Sequence, residues 1–166
     1  MSSQTKQVTK AAVSVALAAA WCCFIFFMSA NTGDVSQGMS DGLIARVVAV
    51  LHPGFTQLPQ DEQLQVIALW SFPVRKAAHF SEYALLGVFA LNAIVQGKRL
   101  RGSVEIRWAL AIDALAFCAL FAGGDEFHQL FVDGRSGQLR DVLIDSCGAA
   151  VGVLIARWVL ARRSGR

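Results

Sequence analysis

Four long apolar stretches separated by shorter polar ones set the rhythm of the chain, at about residues 11–30, 72–95, 107–131 and 141–160. A helix rises about 1.5 Å per residue, so about 20 apolar residues cross the hydrocarbon core of a bilayer. Each run is long enough to do so. The pattern predicts an all-α, polytopic membrane protein with four transmembrane helices in a single domain over residues 1–166. No internal repeat, low-complexity tract or linker sets off a second unit.

The segment between the first two runs, about residues 35–70, carries shorter patterns. In "DGLIARVVAVL", Asp41 to Leu51, the residues Leu43, Val47, Val50 and Leu51 recur at helical spacing, and the run stops at "HPGF". "DEQLQVIALW" opens with Asp61 and Glu62, where negative charge favours a helix N-terminus. Both read as short amphipathic interfacial helices, capping the bundle or forming a lid over a site. Ser71 is placed as the N-cap of the second crossing, which then starts at Phe72.

Composition agrees with the pattern: 55% of the 166 residues are hydrophobic and 16% charged, against about 25% charged in soluble domains. The net charge of +3 is an asymmetry between two sides of the chain. With the N-terminus inside, the cytoplasmic segments hold Lys6, Lys10, Lys98, Arg99, Arg101, Arg107, Arg157, Arg162, Arg163 and Arg166, ten of the fifteen basic residues. The opposite face collects Asp34, Asp41, Asp61, Glu62, Asp125, Glu126 and Asp133. This asymmetry is that of a membrane topology with both termini cytoplasmic, and it argues against nucleic acid as a partner. The first run is expected to be retained rather than cleaved, because it is long and "MSA" puts Met28 where a signal peptidase wants a small residue. Trp70, Trp108 and Trp158 fall at predicted ends of crossings, whereas Trp21 lies mid-helix. Cys22, Cys23, Cys118 and Cys147 all sit in apolar runs and read as small buried hydrophobes.

Candidate chemistry begins at "RKAAHFSEY", Arg75 to Tyr83, at the front of the second run. Lys76, His79, Glu82 and Tyr83 are spaced by threes and fours and share an arc of roughly 120° on a helix. Starting from Phe72, Glu82 falls near mid-membrane, where a charge costs at least about 2.5 kcal/mol unless it faces protein or water. Matching groups lie in "GGDEFHQLFVDGRSGQLRDVLIDSCGAAVG": Asp125, Glu126 and Gln129, then Arg135 in a turn, then Arg140, Asp141 and Asp145. Gly123 and Gly124 would admit another backbone. Asp141, Asp145, Gly148 and Gly152 line one helix face, and Gly148 to Gly152 is a GxxxG contact surface through which a second copy could also associate. These helices would aim the polar groups at one cavity in the outer leaflet. Asp113 reads as an incidental buried polar group.

The motifs "RKAAHFSEYALLG", "DEFHQLFVDGRSGQLRDVLID" and "GAAVG" closely resemble the VanZ-like family of small bacterial membrane proteins, over about Phe72 to Gly152. The chain departs from that pattern at Asp133, where a proline is common, and at Asp145, where other polar residues also occur. The resemblance implies the bacterial cytoplasmic membrane, the cell envelope and a link to teicoplanin and lipoglycopeptide resistance. Three readings then stand side by side. In the first, the cavity binds a lipid phosphate or a glycopeptide-related ligand through Lys76, Tyr83, Gln129, Arg135, Arg140, Asp141 and Asp145. In the second, the protein is an intramembrane enzyme on a lipid-linked envelope substrate, with His79 as general acid or base oriented by Glu82, and Asp125 and Glu126 as further carboxylates. In the third, the polar groups hold the helices together. Two histidines with scattered carboxylates specify neither a metal nor a cofactor. Membrane lipids, and a lipid-linked wall precursor or a glycopeptide, are the partners expected.

Overall fold

In the computed structural model, which describes residues 2–102, 105 and 107–164, the chain forms five helices. They are α1 (Ser3–Ser29), α2 (Gly33–Leu51), α3 (Gln60–Arg99), α4 (Trp108–Gln129) and α5 (Leu139–Ser164), with a 3₁₀ turn at Pro53–Gln57. Four of them, α1, α3, α4 and α5, are long and apolar enough to cross a membrane. Arg166, assigned to the cytoplasmic charge, lies outside the described residues, as do Ser103, Val104 and Ile106 of the basic loop.

Helix α3 is the axis of the fold and packs against each of the other four, most extensively α5. At 40 residues it is about 60 Å long, roughly twice the thickness of the hydrocarbon. The sequence pattern placed a break at Ser71, but the helix runs through it and through Pro73. Ser71 is buried and caps nothing: its hydroxyl donates to Asp41 Oδ1 at 2.5 Å and accepts from Gln37 Nε2 at 2.9 Å. Proline forfeits one helical hydrogen bond and crowds the preceding turn. Here α2 is docked on the same stretch and holds it in line. Of the two interfacial helices expected, α2 is separate and the second is the first part of α3.

Because α3 does not begin at Ser71, the start of the second crossing gives no origin for the depth of Glu82; counted instead from the basic end at Lys98, about 20 residues reach Ala78, one turn or about 6 Å from Glu82. Asp125 sits equally close to an end, one turn before α4 stops at Gln129.

The core between the helices is apolar: Tyr83, Leu86, Leu91, Val95, Ala114, Cys118, Ala122 and Ala149 are fully buried. Two side chains expected inside are not. Cys23 and Cys147 are exposed on the helix surface, and only Cys118 is a core residue. Asp113 is also outward, 58% exposed, with Lys98 Nζ 3.9 Å from its carboxylate.

The tightest packing is between α3 and α5. A side chain at Gly148 or Gly152 would collide with the backbone carbonyl of Phe80 or Ala84, and one at Gly87 would lie 2.5 Å from that of Ala149. The Gly148/Gly152 face, expected also as an oligomer contact, is thus filled from within the chain by α3. Gly123 and Gly124 admit no backbone and have open space around them. At the basic end the guanidinium of Arg157 lies 3.7 Å from the centroid of the Trp108 ring, and that of Arg162 3.9 Å from Trp158.

Candidate functional site

At the opposite end of the bundle the last turn of α4 and the first turns of α5 meet the middle of α3. The connection between α4 and α5 is held by two glycine contacts. Gly134 takes a left-handed backbone, φ +70°, at no steric cost. It abuts Gly33, where any side chain would strike the Gly134 carbonyl, and Gly33 N–H donates to Asp133 O at 2.9 Å. Gly137 sits against the Glu126 carbonyl, and the Glu126 carboxylate accepts the Gln138 N–H at 2.8 Å. The turn is therefore pinned to the start of α2 and the end of α4. Arg135, at its tip, points back into the bundle and donates Nε to the Asn31 carbonyl at 3.1 Å.

Two adjoining cavities result. One, of about 210 Å³, has walls of Ile25, Met28, Met39, Leu43, Val74 and Ala78, with Glu82 and Asp125 among its polar lining residues. The other, of about 220 Å³, is polar and bordered by Lys76, Gln129, Ser136, Gln138, Arg140 and Asp141. Arg75, His79 and Arg135 line both and so mark their junction. Each is somewhat below the roughly 300 Å³ at which small-molecule pockets begin.

The charges around them are unequally paired. Lys76 Nζ binds Asp141 Oδ2 at 2.5 Å, and Arg140 Nε stands 3.8 Å from Asp141 Oδ1. Both cations also lie over the Phe72 ring, at 5.4 and 5.1 Å. Gln129 is saturated by neighbours, its Nε2 donating to Ser29 Oγ at 2.9 Å and lying 3.4 and 3.5 Å from the Asp125 and Glu126 carboxylates. Arg75 and Arg135, by contrast, make no carboxylate ion pair among the described residues. Burial and the nearby Arg75 charge hold the Arg135 guanidinium below its ordinary value, while Asp125 and Glu126 pull it upward.

Of the residues singled out by spacing, His79 and Arg135 reach both cavities, Glu82 and Asp125 the apolar one, and Lys76, Gln129, Arg140 and Asp141 the polar one. Tyr83, Glu126 and Asp145 line neither. Tyr83 is fully buried with its hydroxyl unbonded among the described residues, Glu126 secures the turn, and Asp145 is fully buried behind His79. The partner of His79 is also different from the one expected. Asp145 Oδ1, not Glu82, stands at His79 Nδ1, at 3.8 Å, close enough for attraction and too far for a hydrogen bond. Trp21, anomalous as a mid-helix tryptophan, donates Nε1 to the Glu82 carbonyl at 2.8 Å and ties α1 to this level of α3.

Sequence reasoning assigned no role to Arg75 or Ser29. Arg75 was legible, since it precedes His79 by four residues and Glu82 by seven, the spacing of one helix face. Ser29 carried no signal of its own, as its partner Gln129 is on another helix. Among the described residues no group of three or more metal-ligating side chains is brought together.

No curated protein and no solved structure matches the chain. The model of the VanZ/LLP1 family does, over residues 14–160, a span that takes in α2, α3 and α4 whole, most of α1 and α5, and every residue of the two cavities, and the chain belongs to that family.

Proposed function

We propose that this multi-pass membrane protein binds the phosphate headgroup of an anionic amphiphile, with the headgroup at the junction of the two cavities and the chain along the apolar one. The observation that carries this reading is that Arg75 and Arg135 border both cavities and that neither makes an ion pair with a carboxylate among the described residues. Two guanidiniums facing a shared space repel each other, and an anion between them relieves that repulsion. Arginine suits the role because its planar fork meets phosphate oxygens in bidentate fashion. Apolar side chains from α1, α2 and α3 on the other wall match a lipid tail rather than a free anion.

A hydrogen bond to a charged group contributes about 1.5–3 kcal/mol, and each 1.4 kcal/mol is tenfold in affinity. Arg135→Gln is therefore expected to weaken binding of phosphatidic acid by roughly 10- to 100-fold. Titration of the purified protein with that lipid, followed by native mass spectrometry, measures it. Undiminished binding in both Arg135→Gln and Arg75→Gln would remove the proposal.

The membrane is taken to be the bacterial cytoplasmic membrane, with the basic ends of the helices inside and the cavities open outward, as the charge asymmetry favours. On a cysteine-free background, Ser136→Cys should then react with an impermeant maleimide added to intact cells. Labelling only after permeabilisation would invert the topology. From that position a lipid-linked envelope precursor is the kind of molecule within reach, and altered access to it is the proposed route to teicoplanin resistance.

A second reading, acid–base chemistry on the bound phosphate ester, rests on His79. It stands at the junction with the Asp145 carboxylate 3.8 Å from its Nδ1, a charge that favours the imidazolium formed when the ring takes up a proton. Release of inorganic phosphate from a lipid phosphate, lost in His79→Gln, would support it.

A further inference from the structure

The two arginines are only half of the charge around the apolar cavity. Glu82 and Asp125 line the same space as Arg75 and Arg135, and they do not line the polar cavity. Asp125 is 2% exposed. Its Oδ2 has Gln129 Nε2 at 3.4 Å, and its Oδ1 has no hydrogen-bond partner among the described residues. The Glu82 carboxylate likewise makes no ion pair or hydrogen bond there; only its backbone carbonyl is engaged, by Trp21.

A buried carboxylate oxygen without a donor is costly. Among the described residues neither Arg75 nor Arg135 makes an ion pair with Glu82 or Asp125, and His79, which lines the same cavity, stands instead at Asp145. The site thus keeps two cations and two carboxylates separated around one small volume. A simple phosphate monoester would occupy the cations and bring further negative charge towards Glu82 and Asp125. A headgroup carrying its own cation beside the phosphate matches both pairs.

Resting on the phosphate-binding reading above, we infer that the preferred ligand is a zwitterionic phospholipid with a primary amine, its phosphate between Arg75 and Arg135 and its short ethanolamine arm turned back beside the first methylenes of the chain, so that the ammonium meets Glu82 and Asp125. A primary ammonium has three N–H donors, enough for Asp125 Oδ1 and the Glu82 carboxylate together. A quaternary ammonium has none. A glycerol or sugar headgroup offers hydroxyl donors without the compensating charge. A divalent cation is the alternative counter-charge, but no group of three ligating side chains surrounds the position among the described residues.

The test varies the lipid and leaves the protein intact. Phosphatidylethanolamine, its N-acetylated form, phosphatidylcholine and phosphatidylglycerol with identical acyl chains are titrated singly onto the purified full-length protein in the presence of a chelator. Bound lipid is read by native mass spectrometry. Phosphatidylethanolamine should bind about tenfold more tightly than each of the other three, a difference of about 1.4 kcal/mol. In Glu82→Gln, and separately in Asp125→Asn, its ratio to phosphatidylglycerol should fall towards one. Binding of any one of the other three lipids as tight as that of phosphatidylethanolamine overturns the inference and leaves the phosphate reading standing. Failure of all four lipids and of phosphatidic acid overturns both. The comparison of wild-type protein against the N-acetylated lipid remains decisive if either carboxylate variant does not fold.

Discussion

Replacing Gly152 by leucine is expected to disrupt the bundle, and Gly148→Leu to do nearly the same. The Cβ of a residue at 152 would overlap the carbonyl of Ala84, and at 148 that of Phe80, both backbone atoms of α3 that cannot rotate away. The helices must separate to admit the side chain, and separation loosens the whole seam down to Gly87 and Ala149. Overpacking a well-filled core costs about 1–3 kcal/mol even where side chains can give. Against rigid backbone the cost should exceed about 3 kcal/mol, a large part of the 5–15 kcal/mol by which domains are stable. Gly123→Leu and Gly124→Leu are the matched controls, because nothing lies within 4 Å of either position, and they should be tolerated. Melting in detergent, followed by tryptophan fluorescence, separates the two pairs. Equal melting of Gly152→Leu and Gly124→Leu would mean that the α3–α5 seam is not what holds the fold.

The contrast between those glycine pairs shows what a linear pattern conveys. Gly148 and Gly152 recur every fourth residue on a helix that also carries Asp141 and Asp145 on the same face, so their packing role was readable. Gly123 and Gly124 are adjacent, point in directions about 100° apart, and share no face with a partner. The four crossings were readable for a similar reason, since a run of apolar residues has the same consequence wherever the other helices lie. Depth was less so. The count for Glu82 starts at Phe72 behind a Ser71 N-cap, and nothing local reveals that a serine before Pro73 bonds sideways to Asp41 and Gln37 instead of capping a helix. Pairings between helices were the least legible. Spacing puts Glu82 near His79 because both are on α3, but it is the rotation of α5 that brings Asp145 to the imidazole. The same rotation matches Lys76 with Asp141 and leaves Arg75 without an ion pair among the described residues. Asp113 and Cys147 were read as buried for lying in apolar runs, yet a helix in a bundle has a lipid-facing side as well as a packed one.

The Lys76–Asp141 pair allows scaffold and site to be told apart. Its 2.5 Å contact joins α3 to the first turn of α5, with the two side chains only 22% and 12% exposed. Removing one member of such a pair leaves the other as an uncompensated, largely buried charge, which costs about 3–5 kcal/mol. Replacing both by apolar groups of similar volume removes the desolvation cost along with the attraction and is often neutral or better. Lys76→Met is therefore expected to destabilise the protein by about 3 kcal/mol, the lower end of that range, because Arg140 Nε remains 3.8 Å from Asp141 and compensates part of its charge. Asp141→Leu should cost a comparable amount, reduced to the extent that the long lysine stem carries its ammonium to water. The double variant Lys76→Met, Asp141→Leu should return to within about 1 kcal/mol of the parent, an interaction energy far outside the 0.3–0.5 kcal/mol within which independent sites add. Chemical or thermal denaturation of all four proteins completes the cycle. Additive losses, with the double variant the least stable of the four, would show that the two charges do not act as a clamp, and Lys76 would join Arg75 and Arg135 as a cation free to meet the phosphate.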